Sequence, residues 1–335
     1  YLTPIINIKK TKNLIKVTQI IMTNNNPKGI LLIFIGMFVV SFQDATMKYI
    51  NNSVSLYEVY FMRTLISFII IFCYLKITNK PIIFSTHYPL LTLIRVILFF
   101  FGFSSFYISL TIMPLATATA LFFASPFLMT IFAIFILKEE VGLRRWLAVI
   151  IGFIGVYVIL NPDFNNFNYL SLTPVFCAFC YALSMIILKK TSDKDNVYSQ
   201  MFHFYILAIV ISIIFYFYMG DGKFNNIDHP ASQFIFRKWF DNLEFSLLYM
   251  VFIGVIGASA FLCIFTAYRI ASPAVVSPFE YSILVWATLN GWFFFDEIPN
   301  VRTFVGMILI VCGGIYIFVR EKAQDQSIVT EKPLR

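Results

Sequence analysis

The sequence predicts an all-α integral membrane protein of ten transmembrane helices arranged as two inverted five-helix repeats. Three observations carry this expectation: a composition suited to lipid, about ten apolar stretches of spanning length, and a pattern that recurs 158 residues further on.

Of the 335 residues, 59% are hydrophobic and only 13% charged, and the mean hydropathy is +0.81. A soluble domain has roughly a quarter of its residues charged, so lipid is the main solvent here. Crossing about 30 Å of hydrocarbon takes about 20 apolar residues, because a helix rises about 1.5 Å per residue. Such stretches run approximately over 30–50, 57–75, 89–111, 114–137, 145–161, 169–188, 198–219, 245–268, 272–295 and 302–319.

The net charge of +8 would suit a nucleic-acid partner only if Lys and Arg shared one soluble surface. Instead they punctuate the ends of the apolar runs. Lys9, Lys10, Lys12, Lys16 and Lys28 precede the first run, and positive short segments stay cytoplasmic. With that end inside, Lys76 and Lys80, then Lys138, Arg144 and Arg145, then Lys189, Lys190 and Lys194, and last Arg320 and Lys322 fall on the same side. The opposite loops 51–55 and 161–168 hold no Lys or Arg, whereas 220–243 offsets Lys223, Arg237 and Lys238 with Asp221, Asp228, Asp241 and Glu244. Both termini are therefore expected in the cytoplasm, with residues 1–28 and 322–335 as polar tails. Met22 is a candidate start, and the first apolar run is too long for a cleavable signal peptide. Cys73, Cys177, Cys180, Cys263 and Cys312 all lie in spans, where the Cys177–Cys180 spacing suits helix packing better than redox chemistry.

The recurrence pairs FILKEEVGLRRWLAVIIGFIG (135–155) with FFFDEIPNVRTFVGMILIVCG (293–313). Glu139 matches Glu297, Arg144 matches Arg302, Ala148 matches Gly306, and Gly155 matches Gly313. Upstream, IMPLATATAL (112–121) resembles IASPAVVSPF (270–279). The halves are expected at 29–161 and 162–321. Five spans per copy is an odd number, so the second copy enters the bilayer upside down, as in many secondary transporters.

The segments MPLATATALFFASPFLMTIFAIFILKEE and SPFEYSILVWATLNGWFFFDE, each followed by a Gly-bearing span, resemble the EamA branch of the drug/metabolite transporter superfamily over about Gly29 to Glu321. The resemblance implies ten helices in two inverted repeats, a central solute pathway and no ATPase subunit. Relatives of that kind carry amino acids, S-adenosylmethionine, riboflavin and other metabolites. In place of the branch's Leu-Gly-Glu end motif stand Leu137-Lys138-Glu139 and Phe295-Asp296-Glu297, which keep the carboxylate.

An ionisable group at the centre of a lone helix costs about 2.5 to 3.5 kcal/mol, so each should face a partner or a watery cavity. The set is Asp44 with Gln43 and Lys48, Glu58, Arg63, Arg95, His203 and Glu280. Counted along alternating spans, Asp44 and Arg63 share the outer half, and Arg95 and Glu280 the inner half. Asp44 is thus expected within reach of Arg63, and Glu280 within reach of Arg95 or a solute. Asp44 and Lys48 can also pair at i,i+4 on one helix. Arg63 and Arg95 can snorkel or hold helices together, and Glu58 and His203 lie near span ends.

Pro278 just before Glu280, and Pro126 in the fourth span, are expected to break helix hydrogen bonds where the irregularity lines protein or water. Tyr281, Trp286 and Asn290 follow Glu280 and are candidates for the wall of a site that stacks on a flat or cationic solute. No P-loop, H-E-x-x-H or G-x-S-x-G pattern occurs.

The reading is a secondary transporter, not an enzyme, in the bacterial inner membrane. It works by alternating access on a small organic solute, zwitterionic or amine-bearing, with a proton or ion as a coupling candidate. Its other partner is membrane lipid, it takes no nucleic acid or cofactor, and it is a monomer or homodimer. The rivals are a membrane enzyme on a lipid-linked substrate, with Asp228 and His229 as its only loop pair, and a channel, for which the chain offers no charged filter ring.

Overall fold

The computed structural model describes residues 26–137, 143–160, 169–191, 194–225, 229–270 and 277–330. Helices dominate and no strand occurs among the described residues. Lipid cannot hydrogen-bond a backbone, so a spanning chain must satisfy its own N–H and C=O groups.

The first half opens with α1 (Asn26–Ile50), α2 (Leu56–Ile77) and α3 (Pro89–Ser109). Ser55 is extended ahead of α2, and its N–H donates to Glu58 Oε2 at 3.5 Å, so Glu58 caps the helix it begins. Pro89 stands in the first turn of α3, where a missing N–H costs nothing. The fourth stretch divides into α4 (Leu115–Phe122), α5 (Ser125–Phe132) and a π-helical turn, Ala133–Leu137. The division falls just ahead of Pro126, which cannot continue the ladder. Phe123 and Ala124 bond instead to the carbonyls of Ala120 and Leu121, at 3.2 and 3.1 Å. Then comes α6 (Leu143–Leu160).

A 3₁₀ turn, Tyr169–Leu172, leads into α7 (Thr173–Thr191) and α8 (Val197–Met219), whose start is capped by the Asn196 side chain accepting from the Tyr198 N–H at 3.1 Å. The short α9 (Pro230–Phe236) precedes α10 (Leu243–Ile270). The ninth stretch begins as a 3₁₀ turn, Ser277–Tyr281, holding Pro278, and becomes α-helical as α11 (Ser282–Phe295). The irregularity at Pro278 is thus a change of helix type at the opening of the segment. The last helix is α12 (Val301–Thr330).

Among the described residues seven helices are long and apolar enough to cross a membrane, and two shorter apolar helices cover Ile150–Leu160 and Val301–Gly313. The chain is a multi-pass membrane protein. Its tightest helix pairs are α3 on α7, α1 on α10 and α6 on α12, followed by α2 on α10 and on α8, α1 on α11, α5 on α7 and α4 on α11. Phe34, Phe38, Phe252, Phe293 and Phe304 remain exposed, the pattern of side chains that meet acyl tails.

Between apolar helices the driving force is close packing, which small residues permit. Gly102 of α3 lies against Cys177 and Cys180 of α7, so the Cys-x-x-Cys pair is a helix contact, and both thiols are free and buried. Where α6 crosses α12, a Cβ at Gly155 would come within 2.9 Å of the Gly306 carbonyl, and one at Gly306 within 2.8 Å of the Gly155 carbonyl. Backbone has nowhere to retreat. Gly306→Val is expected to destabilise the protein by about 1–3 kcal/mol through overpacking, read as a lowered melting temperature in detergent.

Candidate functional site

Buried polar side chains of α1, α2 and α3 converge at one hydroxyl. Gln43 Nε2 donates to Tyr107 Oη at 2.8 Å, and Arg63 Nη1 donates to the same oxygen at 3.0 Å. A phenol accepts two bonds and gives one, which leaves its single proton for the Asp44 carboxylate beside it. Arg63 also lies over the rings of Tyr60 and Tyr107, 5.4 and 5.8 Å from their centroids. Asp44 and Arg63 are 5% and 6% exposed, so both charges are met inside protein.

Lys48 does not use Asp44. Its Nζ reaches Glu297 Oε1 at 2.5 Å and the Met113 carbonyl at 2.9 Å, while Glu297 Oε2 accepts from the Leu115 N–H at 3.1 Å. One carboxylate therefore holds the end of α1, the start of α4 and the turn between α11 and α12. That turn depends on Asp296, which sits in the left-handed region (φ 52°, ψ 28°) where the related motif has glycine. Asp is among the few side chains that tolerate this conformation.

Arg95 and Glu280 are not brought together as a pair. Arg95 Nη2 donates to the Gln200 carbonyl at 2.9 Å, and Ser184 Oγ donates to the Arg95 carbonyl at 3.2 Å. Glu280 is buried beside Tyr181 and Tyr281. Between these polar stations stands an aromatic core centred on Phe103. Its ring lies 4.6 Å from Phe99, 5.9 Å from Phe122, 6.0 Å from Tyr181 and 6.5 Å from Tyr107. Tyr181 links this core to Glu280, Tyr107 links it to Asp44 and Arg63, and Phe99 links it to Arg95.

The remaining sequence candidates take up separate positions in the bundle. Tyr281 packs on Phe123 with ring centroids 4.8 Å apart. Trp286 meets Phe34 and Phe38 edge-on at 5.6 and 4.9 Å, and Asn290 Nδ2 donates to Ser41 Oγ at 2.7 Å, which places both on the seam between α1 and α11. Pro278 and Pro126 occupy the 3₁₀ turn before α11 and the start of α5. His203 Nε2 meets the Phe84 carbonyl at 2.8 Å. His229 caps α9 by accepting from the Ala231 N–H at 3.2 Å, and Asp228 lies outside the described residues.

Sequence reasoning missed Tyr107, since nothing marks one tyrosine among 18. It also missed the Lys48–Glu297 contact, although both residues close spans on one side of the expected topology, a signal that could have found it. Asp195, between α7 and α8, went unremarked as well. Its carboxylate accepts from Thr86 Oγ1 at 2.5 Å and from the His87 N–H at 2.9 Å, with His87 Nδ1 at 3.2 Å. Burial alone would raise its pKa, but the His87 N–H, the Thr86 hydroxyl and the His87 ring together hold it below the usual carboxylate range.

A family model described as the EamA-like transporter family matches residues 27–161 and again 170–319. The S-adenosylmethionine uptake transporter of Rickettsia prowazekii (strain Madrid E) is 28% identical over 299 residues, covering 89% of this chain and 95% of that one. The riboflavin transporter of Vibrio cholerae is 31% identical over 204 residues, 61% of this chain and 62% of that one. The pseudopaline exporter of Pseudomonas aeruginosa (strain PAO1) is 23% identical over 288 residues, 86% and 94% of the two chains. A solved crystal structure, 13% identical, superposes with a TM-score of 0.59 over 88% of this chain and 98% of its own, which shows a shared fold.

Tyr107→Phe would leave the donors of Gln43 and Arg63 and the Asp44 carboxylate short of a partner. It is expected to cost about 1–3 kcal/mol, seen as a lower melting temperature. Asp195 is more acidic in the folded chain than in the unfolded one, so its contribution is complete above the unfolded pKa and lost as pH falls through the folded value. Asp195→Asn should therefore melt earlier than the parent at pH 7, and the gap should close below about pH 4.

Proposed function

The chain belongs to the EamA-like transporter family, and on that premise we propose a secondary active transporter that moves a small organic metabolite across the bacterial inner membrane by alternating access. Two halves, 29–161 and 162–321, would each supply five helices in opposite orientation.

The observation that carries this reading is the pairing of helices. Counting the broken fourth and ninth stretches as one span each, the packing of α3 on α7 has its counterpart, five spans on, in α10 on α1. The packing of α1 on α11 has its counterpart in α4 and α5 on α7. The pairs α2 on α8, α4 on α11 and α6 on α12 each join a span to its own counterpart. A two-fold axis in the membrane plane requires that scheme, and the tandem family match supports it.

Solute would pass along the aromatic core between Arg95, Glu280 and the Asp44–Arg63 cluster. Two acids and two guanidinium groups favour a zwitterionic or amine-bearing metabolite. The relatives named for S-adenosylmethionine, riboflavin and pseudopaline suggest a solute of comparable size. Glu280, buried among aromatics, is the residue we assign to exchanging a proton or the cationic end of the solute. With both termini in the cytoplasm, the Lys48–Glu297 contact and the Tyr107 network lie at the outer end.

Reconstituted in liposomes, the protein is expected to give saturable counterflow of a labelled solute that emerges chemically unchanged, with S-adenosylmethionine and riboflavin as first probes. Glu280→Gln should reduce counterflow by about tenfold or more and flatten its pH dependence. Counterflow and pH profile left as in the parent would remove Glu280 from the mechanism. An altered product would point to an enzyme, and flux without counterflow to a channel.

A further inference from the structure

The loops that follow α2 and α8 are built alike. Residues 78–88 join α2 to α3, and residues 220–242, with α9 among them, join α8 to α10. Each loop leaves its helix through a left-handed residue, Asn79 at φ 51° and Gly222 at φ 80°. Each then returns across the start of the other helix. Antiparallel packing of α2 and α8 makes this possible: Tyr57 stacks on Phe215 at 3.8 Å, and at the far end Tyr74 meets Tyr198 at 6.5 Å.

At the start of α8, Ser199 Oγ donates to the Ser85 carbonyl at 2.9 Å and His203 Nε2 lies 2.8 Å from the Phe84 carbonyl. Asp195, just ahead of that helix, accepts from the Thr86 hydroxyl and the His87 N–H. Phe84 packs on Phe202, the sixth residue of α8, with centroids 5.0 Å apart. At the start of α2, Ser55 Oγ donates to the Ile235 carbonyl at 3.2 Å, and Arg237 Nη1 donates to the Asn51 and Val54 carbonyls at 3.2 and 3.4 Å. Asn242 Nδ2 donates to the Ser53 carbonyl at 3.4 Å, and Trp239 lies 6.3 Å from Phe61, the sixth residue of α2. The side chains differ, but the same register of each helix is gripped.

Residues 84–87 and α2 fall within the first family match, and α8 and residues 235–242 within the second. Each loop therefore ties one half of the chain to the other. A rocking of the halves that parts them at one end has to break that end's hydrogen bonds while sparing the other set. Ser85, His87, Phe240 and Asn242 are exposed, so water can replace the bonds these segments give up. Phe240 is also held at φ 59°, where a bulky residue is strained, and release relieves that strain.

We propose that residues 84–87 and 235–242 are a matched pair of straps that fasten opposite ends of the bundle, and that transport requires them to let go in turn. The inference rests on the transporter reading and names the segments that shut each face. With both termini in the cytoplasm, 84–87 closes the inner face and 235–242 the outer one.

The test uses the full chain with two cysteine pairs, Ser85→Cys with Ser199→Cys, and Ser55→Cys with Ile235→Cys, each joined by a short bifunctional thiol reagent that a reductant cleaves. Single-cysteine variants treated alike control for the native thiols, and the reduced samples control for folding. In liposomes either cross-link is expected to cut counterflow of S-adenosylmethionine or riboflavin by about tenfold or more, with recovery on reduction. Hydrogen exchange supplies a readout that needs no solute. Fastening one strap should speed exchange at the other by about threefold or more, read at the Trp239 N–H in the first pair and at the His87 N–H in the second. Counterflow that survives either cross-link, or exchange at the opposite strap left at its former rate, would overturn the inference while leaving the transporter reading standing. Reciprocal exchange in a chain that counterflows nothing would keep the straps and remove the transporter reading.

Discussion

Hydrocarbon offers no partner to a charge, and that constraint decides where the ionisable side chains of this bundle have gone. The Tyr107 hydroxyl is its sharpest expression. Three helices each contribute groups that none could carry through lipid alone, and one oxygen serves Gln43 and Arg63 as acceptor with its proton free for Asp44. Remove that oxygen and the three helices lose their common reason to meet. The same logic turns Glu58 back onto its own helix start and ties Asn290 to Ser41.

The aromatic residues, 19% of the chain, play a different part. Many face outward, where acyl tails solvate them. A smaller set around Phe103 occupies the centre and keeps Arg95, Glu280 and the Asp44–Arg63 cluster apart. Rings are large enough to fill that space and apolar enough to prevent the charges from neutralising one another.

Much of the architecture was legible because lipid imposes long apolar runs, and because Pro126 and Pro278 mark where the helical ladder is interrupted. Depth counting along alternating spans also put Asp44 near Arg63, since it needs only a rise per residue and a direction. It did not select between Arg95 and a solute as the neighbour of Glu280, because a rise per residue carries no information on position around the bundle, and Arg95 is spent on the Gln200 carbonyl instead. Rotation about a helix axis is fixed by side-chain packing, as between Gly102 and Cys180, and no periodicity records it when a helix is apolar all round. For the same reason Trp286 and Asn290 could not be told from core residues before their partners on α1 were known.

Glu297 has a mechanical consequence. Its two oxygens grip different elements, Lys48 at the end of α1 and the Leu115 N–H at the head of α4. A shift of the α11–α12 turn that frees one also strains the other, because a carboxylate is rigid and only about 2 Å across. One side chain of the α11–α12 turn therefore clasps the close of α1 and the head of α4 at once, so neither can leave that turn without breaking a bond to the same carboxylate.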